Sequence, residues 1–239
     1  MVKKKAGGTN ELSDSSLRKR LAIACHVIAR AGQGDDIFGH VSVRRPGESV
    51  FWMKPTGLGI EEVRPEDMLL IDLDGNVVRG KGRRHIEVFI HAEVMRARPD
   101  VSGVVHTHAI HAAVFGSLGV PLKPVTHEGS IFTPDVPRYD ETTDLISTPE
   151  LGKAVARTMG SSPALFLISH GIVTTGDTVE AAAINAILLD RAARAQLMVP
   201  GGVPRVYTSD QEALRKKESL GGSNATMRWA YLVRKVREQ

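Results

Sequence analysis

The segment Val104-Val105-His106-Thr107-His108 joins an apolar run to two imidazoles. Residues two apart on a β-strand point to the same face. If residues 101–108 form a strand, His106 and His108 stand side by side at its end. Neutral imidazole is the commonest ligand for zinc-like metals. A His-x-His pair by itself also suits two ordinary core or surface histidines. A second apolar run, Leu165-Phe166-Leu167-Ile168, leads into His170 and Gly171. Two buried strands that each end in imidazole favour a shared metal. Three histidine ligands leave positions open on the ion, the pattern of a catalytic rather than a structural site. Gly171 is expected to let the chain turn sharply beside the ligand. Glu87, at the start of a helix, either completes the coordination sphere or moves protons. Its simplest alternative is a first-turn carboxylate complementing the helix dipole.

The elements that must position these residues alternate between strand and helix. Residues 1–12 are polar and Gly-containing and are expected to be disordered, leaving 13–239 as a single domain. Leu17, Leu21, Ala24 and Ile28 recur at helical spacing and predict a helix over 13–31, ended by Gly32 and Gly34. Residues 41–45 and 49–54 read as strands around Pro46-Gly47, and 68–73 as a strand turning at Asp74-Gly75. A helix is predicted over 86–97, a buried strand over 101–108 and a small helix over 109–118. A Pro-, Thr- and Asp-rich loop follows over 121–147. Pro149 suits the first turn of a helix to about residue 159. Residues 164–169 read as a buried strand. Asp177 and Glu180 suggest a capping box for an Ala-rich helix ending near residue 199. From Ser209 the chain reads as helix again. Two close hairpins imply antiparallel pairing, so the fold class is α/β with a mixed, largely antiparallel sheet covered by helices.

Composition excludes several other functions. Hydrophobic residues make up 42% and charged residues 24% of the 239, an ordinary globular balance that can bury a sizeable core. Aromatics are only 5%, and no basic stripe interleaves with them, which argues against nucleic-acid binding despite a formal charge of +4. Cys25, the only cysteine, lies on the apolar side of the first helix and reads as core. The basic start has no apolar stretch behind it, and no run reaches the length of a membrane span. The expected location is the cytoplasm.

The order Glu87, then His106-x-His108 about nineteen residues on, then a distant His170-Gly171, resembles the class II aldolase/adducin-type family. Ala97-Arg98-Pro99-Asp100, Pro55-Thr56-Gly57 and the stretch 39–44 add to the resemblance, which covers roughly residues 15 to 235. It implies a three-layer α/β/α domain, homotetramers with sites near subunit boundaries, and one divalent metal ion per subunit. Zinc or manganese suits such ligands, as do cobalt and iron. It further implies that the metal acts as a Lewis acid on adjacent substrate oxygens while Glu87 moves protons. Aldol cleavage, epimerisation and decarboxylation all use that chemistry.

Against the sugar-phosphate aldolases of this family, the chain departs at the phosphate cradle. Those enzymes place small hydroxyl residues just before the Glu and an Asn in the earlier loop. Here Arg83, Arg84, His85 and Ile86 precede Glu87, and His40 takes the Asn position, while Thr56 and Gly57 remain. Arginine suits a planar carboxylate, which it binds bidentately; equally, both arginines could be solvated loop charges. The pattern is similar to a decarboxylase branch acting on hydroxylated aromatic or pyridine dicarboxylates. Arg84, His40, Thr56, Gly57 and His127 are then candidate contacts for a small anionic substrate, with His127 alternatively a hydrogen-bonded loop residue. His111 is a candidate support for His108. The rival readings are an aldolase or epimerase for a sugar phosphate, and an adducin-like interaction module without activity.

Overall fold

The computed structural model describes residues 13–238, so the expectation of disorder over 1–12 lies outside the described residues. One eight-stranded sheet runs through it. The strands are β1 His40–Val43, β2 Val50–Met53, β3 Leu69–Asp72, β4 Val77–Arg79, β5 Gly103–Thr107, β6 Arg138–Tyr139, β7 Ala164–Leu167 and β8 Gly171–Gly176. Their order is β4-β3-β2-β1-β5-β8-β7-β6. Every neighbouring pair is antiparallel except β6 with β7. The helices are α1 Asp14–Ile28, α2 Val88–Ala97, α3 Ile110–Gly116, α4 Pro149–Met159, α5 Val179–Leu197, α6 Asp210–Leu220 and α7 Ser223–Arg237. This is the mixed, largely antiparallel α/β class that the hairpins imply.

Strand alternation splits the core into two layers. Val41, Val43, Trp52, Val105, Phe166 and Ile172 pack with α1, α3 and α5 on one face. Phe51, Met53, Val104, Leu165, Leu167 and Val173 pack with α2 and α4 on the other. The sheet is thus sandwiched between helices. His40, Ser42 and His106 alternate with Val41, Val43 and Val105, so they belong to the face that α2 covers. Cys25 is fully buried in the first layer.

Several boundaries differ from the sequence reading for local reasons. Ser13 is the N-cap of α1, accepting a hydrogen bond from the Ser16 N–H, and the helix loosens into a π turn over Ala29–Gln33 around Gly32 at φ 86°. The N-cap of α5 is Thr178, whose hydroxyl accepts from the Ala181 N–H, rather than Asp177. Within the supposed loop 121–147 lie a 3₁₀ turn, Glu128–Phe132, and the two-residue β6, which is too short for a periodic signal. Strand β8 was not anticipated, although its Ile172-Val173-Thr174-Thr175 run is β-branched. The C-terminal helix is broken in two by Gly221 and Gly222, the latter at φ 56°. Among the described residues no helix is long and apolar enough to cross a membrane.

Candidate metal centre

Strand β5 carries His106 into the layer beneath α2, fully buried, and His108 follows just past the strand end. His170 sits on the hairpin between β7 and β8, next to β5. The sharp bend there falls on Ser169 at φ 54°, not on Gly171. Gly171 answers a different demand: a Cβ on it would run into the Thr107 carbonyl oxygen and stand 3.1 Å from the His108 ring. Its missing side chain therefore lets β8 begin hard against β5, which brings His170 to the other two imidazoles.

The three rings form a nearly equilateral triangle, with centroids 5.1 Å apart for His106–His108, 4.9 Å for His106–His170 and 5.2 Å for His108–His170. Glu87 closes the cluster from the start of α2. Four ligand atoms, one from each residue, lie within 4.8 Å of one another. The carboxylate accepts a hydrogen bond from the Ile146 N–H at 2.8 Å, which pins it. It stands 3.7 Å from His106 Nε2 and 3.6 Å from His170 Nε2, too far for hydrogen bonds.

The buried polar atoms show what this cluster suits. The Nε2 atoms of His106, His108 and His170 are all buried without a hydrogen-bond partner. Buried polar atoms are ordinarily satisfied, so three orphans on neighbouring rings require an account. His106 donates from Nδ1 to the Ile172 carbonyl at 3.0 Å, and His108 donates from Nδ1 to Asp35 Oδ2 at 2.6 Å. A neutral imidazole that donates from Nδ1 has a bare Nε2 lone pair. Burial pushes the His106 imidazole down to about 3 and keeps it neutral, although Glu87 pulls the other way. Burial by itself would raise the Glu87 carboxyl, but His170 and His40 beside it hold it well below the usual carboxylate range. Neutral nitrogen lone pairs grouped with one carboxylate are the donor set of a zinc- or manganese-type ion. Their partners at Nδ1 are of the kind that orients metal-binding histidines.

The cluster opens into a cavity of about 610 Å³. Its lining includes His108, His170, Glu87, His40, His85, Thr56, Arg83 and Arg84, with Phe38, Ile86 and Leu145 as its large apolar members. Those three are 54%, 57% and 50% exposed, so their apolar surface is accessible from the cavity mouth.

A family model described as the class II aldolase and adducin N-terminal domain matches residues 19–197. The chain belongs to that family. Within it, the chain is 33% identical to the decarboxylase NovR of Streptomyces niveus over 186 residues, covering 76% of this chain and 69% of that protein. It is 28% identical to the 3,4-dihydroxyphthalate decarboxylase of Arthrobacter keyseri over 241 residues, covering 94% and 96%. Among solved structures it superposes on the L-fuculose 1-phosphate aldolase of Glaciozyma antarctica PI12 with a TM-score of 0.83 at 24% identity, covering 99% of this chain and 94% of that one. That likeness shows that the class II aldolase fold is shared.

Of the remaining candidate residues of this class II aldolase-fold chain, His40, Thr56 and Arg84 line the cavity, while Gly57 and His127 are not in its lining. His40 lines the cavity, with Nε2 3.9 Å from Glu87 Oε2. Thr56 lines it too, and its backbone N–H donates to the Arg83 carbonyl at 2.9 Å. Gly57 follows at φ 86°, outside the lining. Arg84 is at the wall, but its guanidinium donates to the His85 carbonyl at 2.9 Å and lies 5.4 Å from the Phe89 ring centre. The neighbouring Arg83 has no side-chain hydrogen bond or ion pair among the described residues, so its charge is the readier one for a ligand. His127 begins the Glu128–Phe132 turn and is not part of the lining. His111 bonds to Asp190 on α5 at 2.9 Å, joining α3 to α5 rather than supporting His108.

Sequence reasoning passed over Asp35, His85 and His91. His91 lies four residues after Glu87, one turn further along the same face of α2, a spacing that could have flagged it. It is fully buried between Ser42 and His40. His85 is pushed down to about 4 by burial and by the nearby Lys54 ammonium, which lies 3.2 Å away. Asp35 stands in a loop with no periodic pattern, and only the fold brings it to His108.

Proposed function

We propose that the protein is a divalent-metal-dependent carbon–carbon lyase that decarboxylates a hydroxylated aromatic or pyridine dicarboxylate. The observation that carries this reading is the cavity wall. Beside the His₃–Glu cluster it offers guanidinium charge from Arg83 and Arg84 and apolar surface from Phe38, Ile86 and Leu145. Apolar walls suit a flat ring, and a free guanidinium suits a second carboxylate held bidentately. Two relatives in the family carry decarboxylase names, which agrees.

His106, His108 and His170 would hold the ion, with Glu87 beside it; when bound, the ion supplies Lewis acidity to substrate oxygens. The chain's own groups do the rest. Asp35 and the Ile172 carbonyl hold two rings with Nε2 directed inward. Glu87, ionised in the resting site, would accept the proton of the substrate hydroxyl. When the ring–carboxylate bond breaks, its electron pair stays on the ring carbon and CO₂ leaves. Glu87 then returns the proton to that carbon, leaving a phenolate that solvent protonates. Phe38, Ile86 and Leu145 offer the flat ring an apolar contact.

The second reading, an aldolase or epimerase acting on a sugar phosphate, draws on Thr56, which stays at the cavity wall. An adducin-like module without activity would have no use for a complete cluster. The homotetramer implied by the family resemblance belongs to the same proposal. Metal-loaded protein should be offered hydroxy-aromatic dicarboxylates and phosphorylated aldols in parallel, with CO₂ and aldehyde release measured separately. CO₂ from the dicarboxylates supports the reading. Aldehyde from the phosphates, with the dicarboxylates untouched, replaces it with the aldolase.

A further inference from the structure

Behind the cavity, β1 and α2 build a hydrogen-bonded chain of three buried side chains. His40 and Ser42 are two apart on β1 and point to the same face. His91 descends from α2 and bridges them. Its Nδ1 is 2.6 Å from Ser42 Oγ, and its Nε2 is 2.7 Å from His40 Nδ1. Ser42 and His91 are fully buried, and His40 is 2% exposed. The far nitrogen of His40 faces Glu87 across 3.9 Å at the cavity wall.

Only one proton fits between two imidazole nitrogens 2.7 Å apart, which leaves two arrangements. In the first, Ser42 donates its hydroxyl proton to His91 Nδ1, and His91 Nε2–H donates to His40 Nδ1. His40 then carries its proton on Nε2. In the second, every bond is reversed. Ser42 Oγ would accept from His91, and its own proton would need another acceptor; among the described residues it has none. A neutral His40 in this arrangement would also turn a bare lone pair toward the Glu87 carboxylate, a repulsive contact at low dielectric. The first arrangement satisfies each buried group and sets an N–H against a carboxylate.

We infer that Ser42 and His91 are positioning residues that lock His40 with its proton on Nε2. His40 becomes a fixed neutral hydrogen-bond donor for an anionic oxygen of the substrate beside Glu87. The role as substrate donor rests on the cavity being the substrate site of the proposed lyase; the tautomer does not. A donor fixed before binding needs no reorganisation when the anion arrives. It also adds no positive charge next to the metal cluster.

The tautomer can be read directly by long-range ¹H–¹⁵N spectra of zinc-loaded protein with ¹⁵N-labelled histidine, the His40 signals being assigned by their loss in His40→Gln. The expected result is Nε2–H on His40 in the wild type and a mixed tautomer in Ser42→Ala. Kinetics on the dicarboxylate supply the second arm. His91→Phe should lower kcat/KM about ten- to a hundredfold, the worth of a hydrogen bond to a charged group, with metal content unchanged. His91→Gln keeps a donor near the Nε2 position and should recover a large part of the loss. The inference is overturned if wild-type His40 carries its proton on Nδ1, if the Ser42→Ala tautomer is unchanged, or if the Phe and Gln variants are equally impaired. If no dicarboxylate is turned over, the lyase reading fails by itself, and the spectra still decide the tautomer.

Discussion

Asp35→Ala removes the carboxylate that accepts from His108 Nδ1 at 2.6 Å. His106 has a backbone carbonyl in the same role, which no substitution can delete, so His108 is the ring whose support can be tested. Without Asp35, the His108 ring loses both its tautomer preference and its orientation. Losing such an outer partner typically weakens metal affinity about 10- to 100-fold, or about 1.4–2.7 kcal/mol. The Asp35 side chain is 43% exposed, so water replaces part of the lost bond and the lower end of that range is expected. Zinc should be titrated into metal-free protein against a chromophoric chelator, comparing wild type with Asp35→Ala. A dissociation constant about tenfold higher, with stoichiometry unchanged, is the expected outcome. An affinity within a factor of about two of wild type would refute the reasoning that the Nδ1 supports prepare the imidazoles for metal.

Three further expectations follow from the same geometry. Glu87→Gln should retain the metal and lose turnover by about 10² or more, because the amide cannot accept the substrate proton; near-normal turnover would reduce Glu87 to a helix-start residue. Arg83→Ala should cost about 1.5–3 kcal/mol in kcat/KM for dicarboxylates, and Arg84→Ala less, since Arg84 is already engaged by the His85 carbonyl and Phe89. The opposite ranking would place the substrate carboxylate on Arg84. Burial holds His85 at about 4 and His106 at about 3, against 6.5 for an ordinary histidine, so the unfolded chain binds more protons between those values. Stability of the metal-free protein should therefore be intact above pH 6.5 and decline as pH falls toward 4, and urea unfolding showing no decline in that window would contradict it.

The parts of the molecule legible in the sequence were those with short-range patterns. Continuous apolar runs in β5 and β7, helical spacing in α1 and α2, and Pro149 at the start of α4 gave those elements their places. Strand β8 was hidden because Gly171 reads as a turn residue, whereas its role is to admit the Thr107 carbonyl at close range. That demand arises only from a neighbouring strand, so local sequence does not express it. The same holds for Asp35 and Ser42, which reach His108 and His91 through tertiary contact. The imidazoles and Glu87 stood out because residue type and spacing were unusual together. Arg83 and Arg84 stood out as charges, but which of them is committed to the protein depends on side-chain geometry.

Whether His106, His108 and His170 share one ion is tested most directly by metal content. Protein reconstituted with excess zinc or manganese, freed of loosely held ions and measured by elemental analysis, should carry one equivalent per chain. The double variant His106→Ala/His108→Ala, folded as judged by circular dichroism, should carry none. Stoichiometric metal in that variant would contradict the account, because the ion would then be bound elsewhere and the three orphaned imidazole nitrogens would need another explanation.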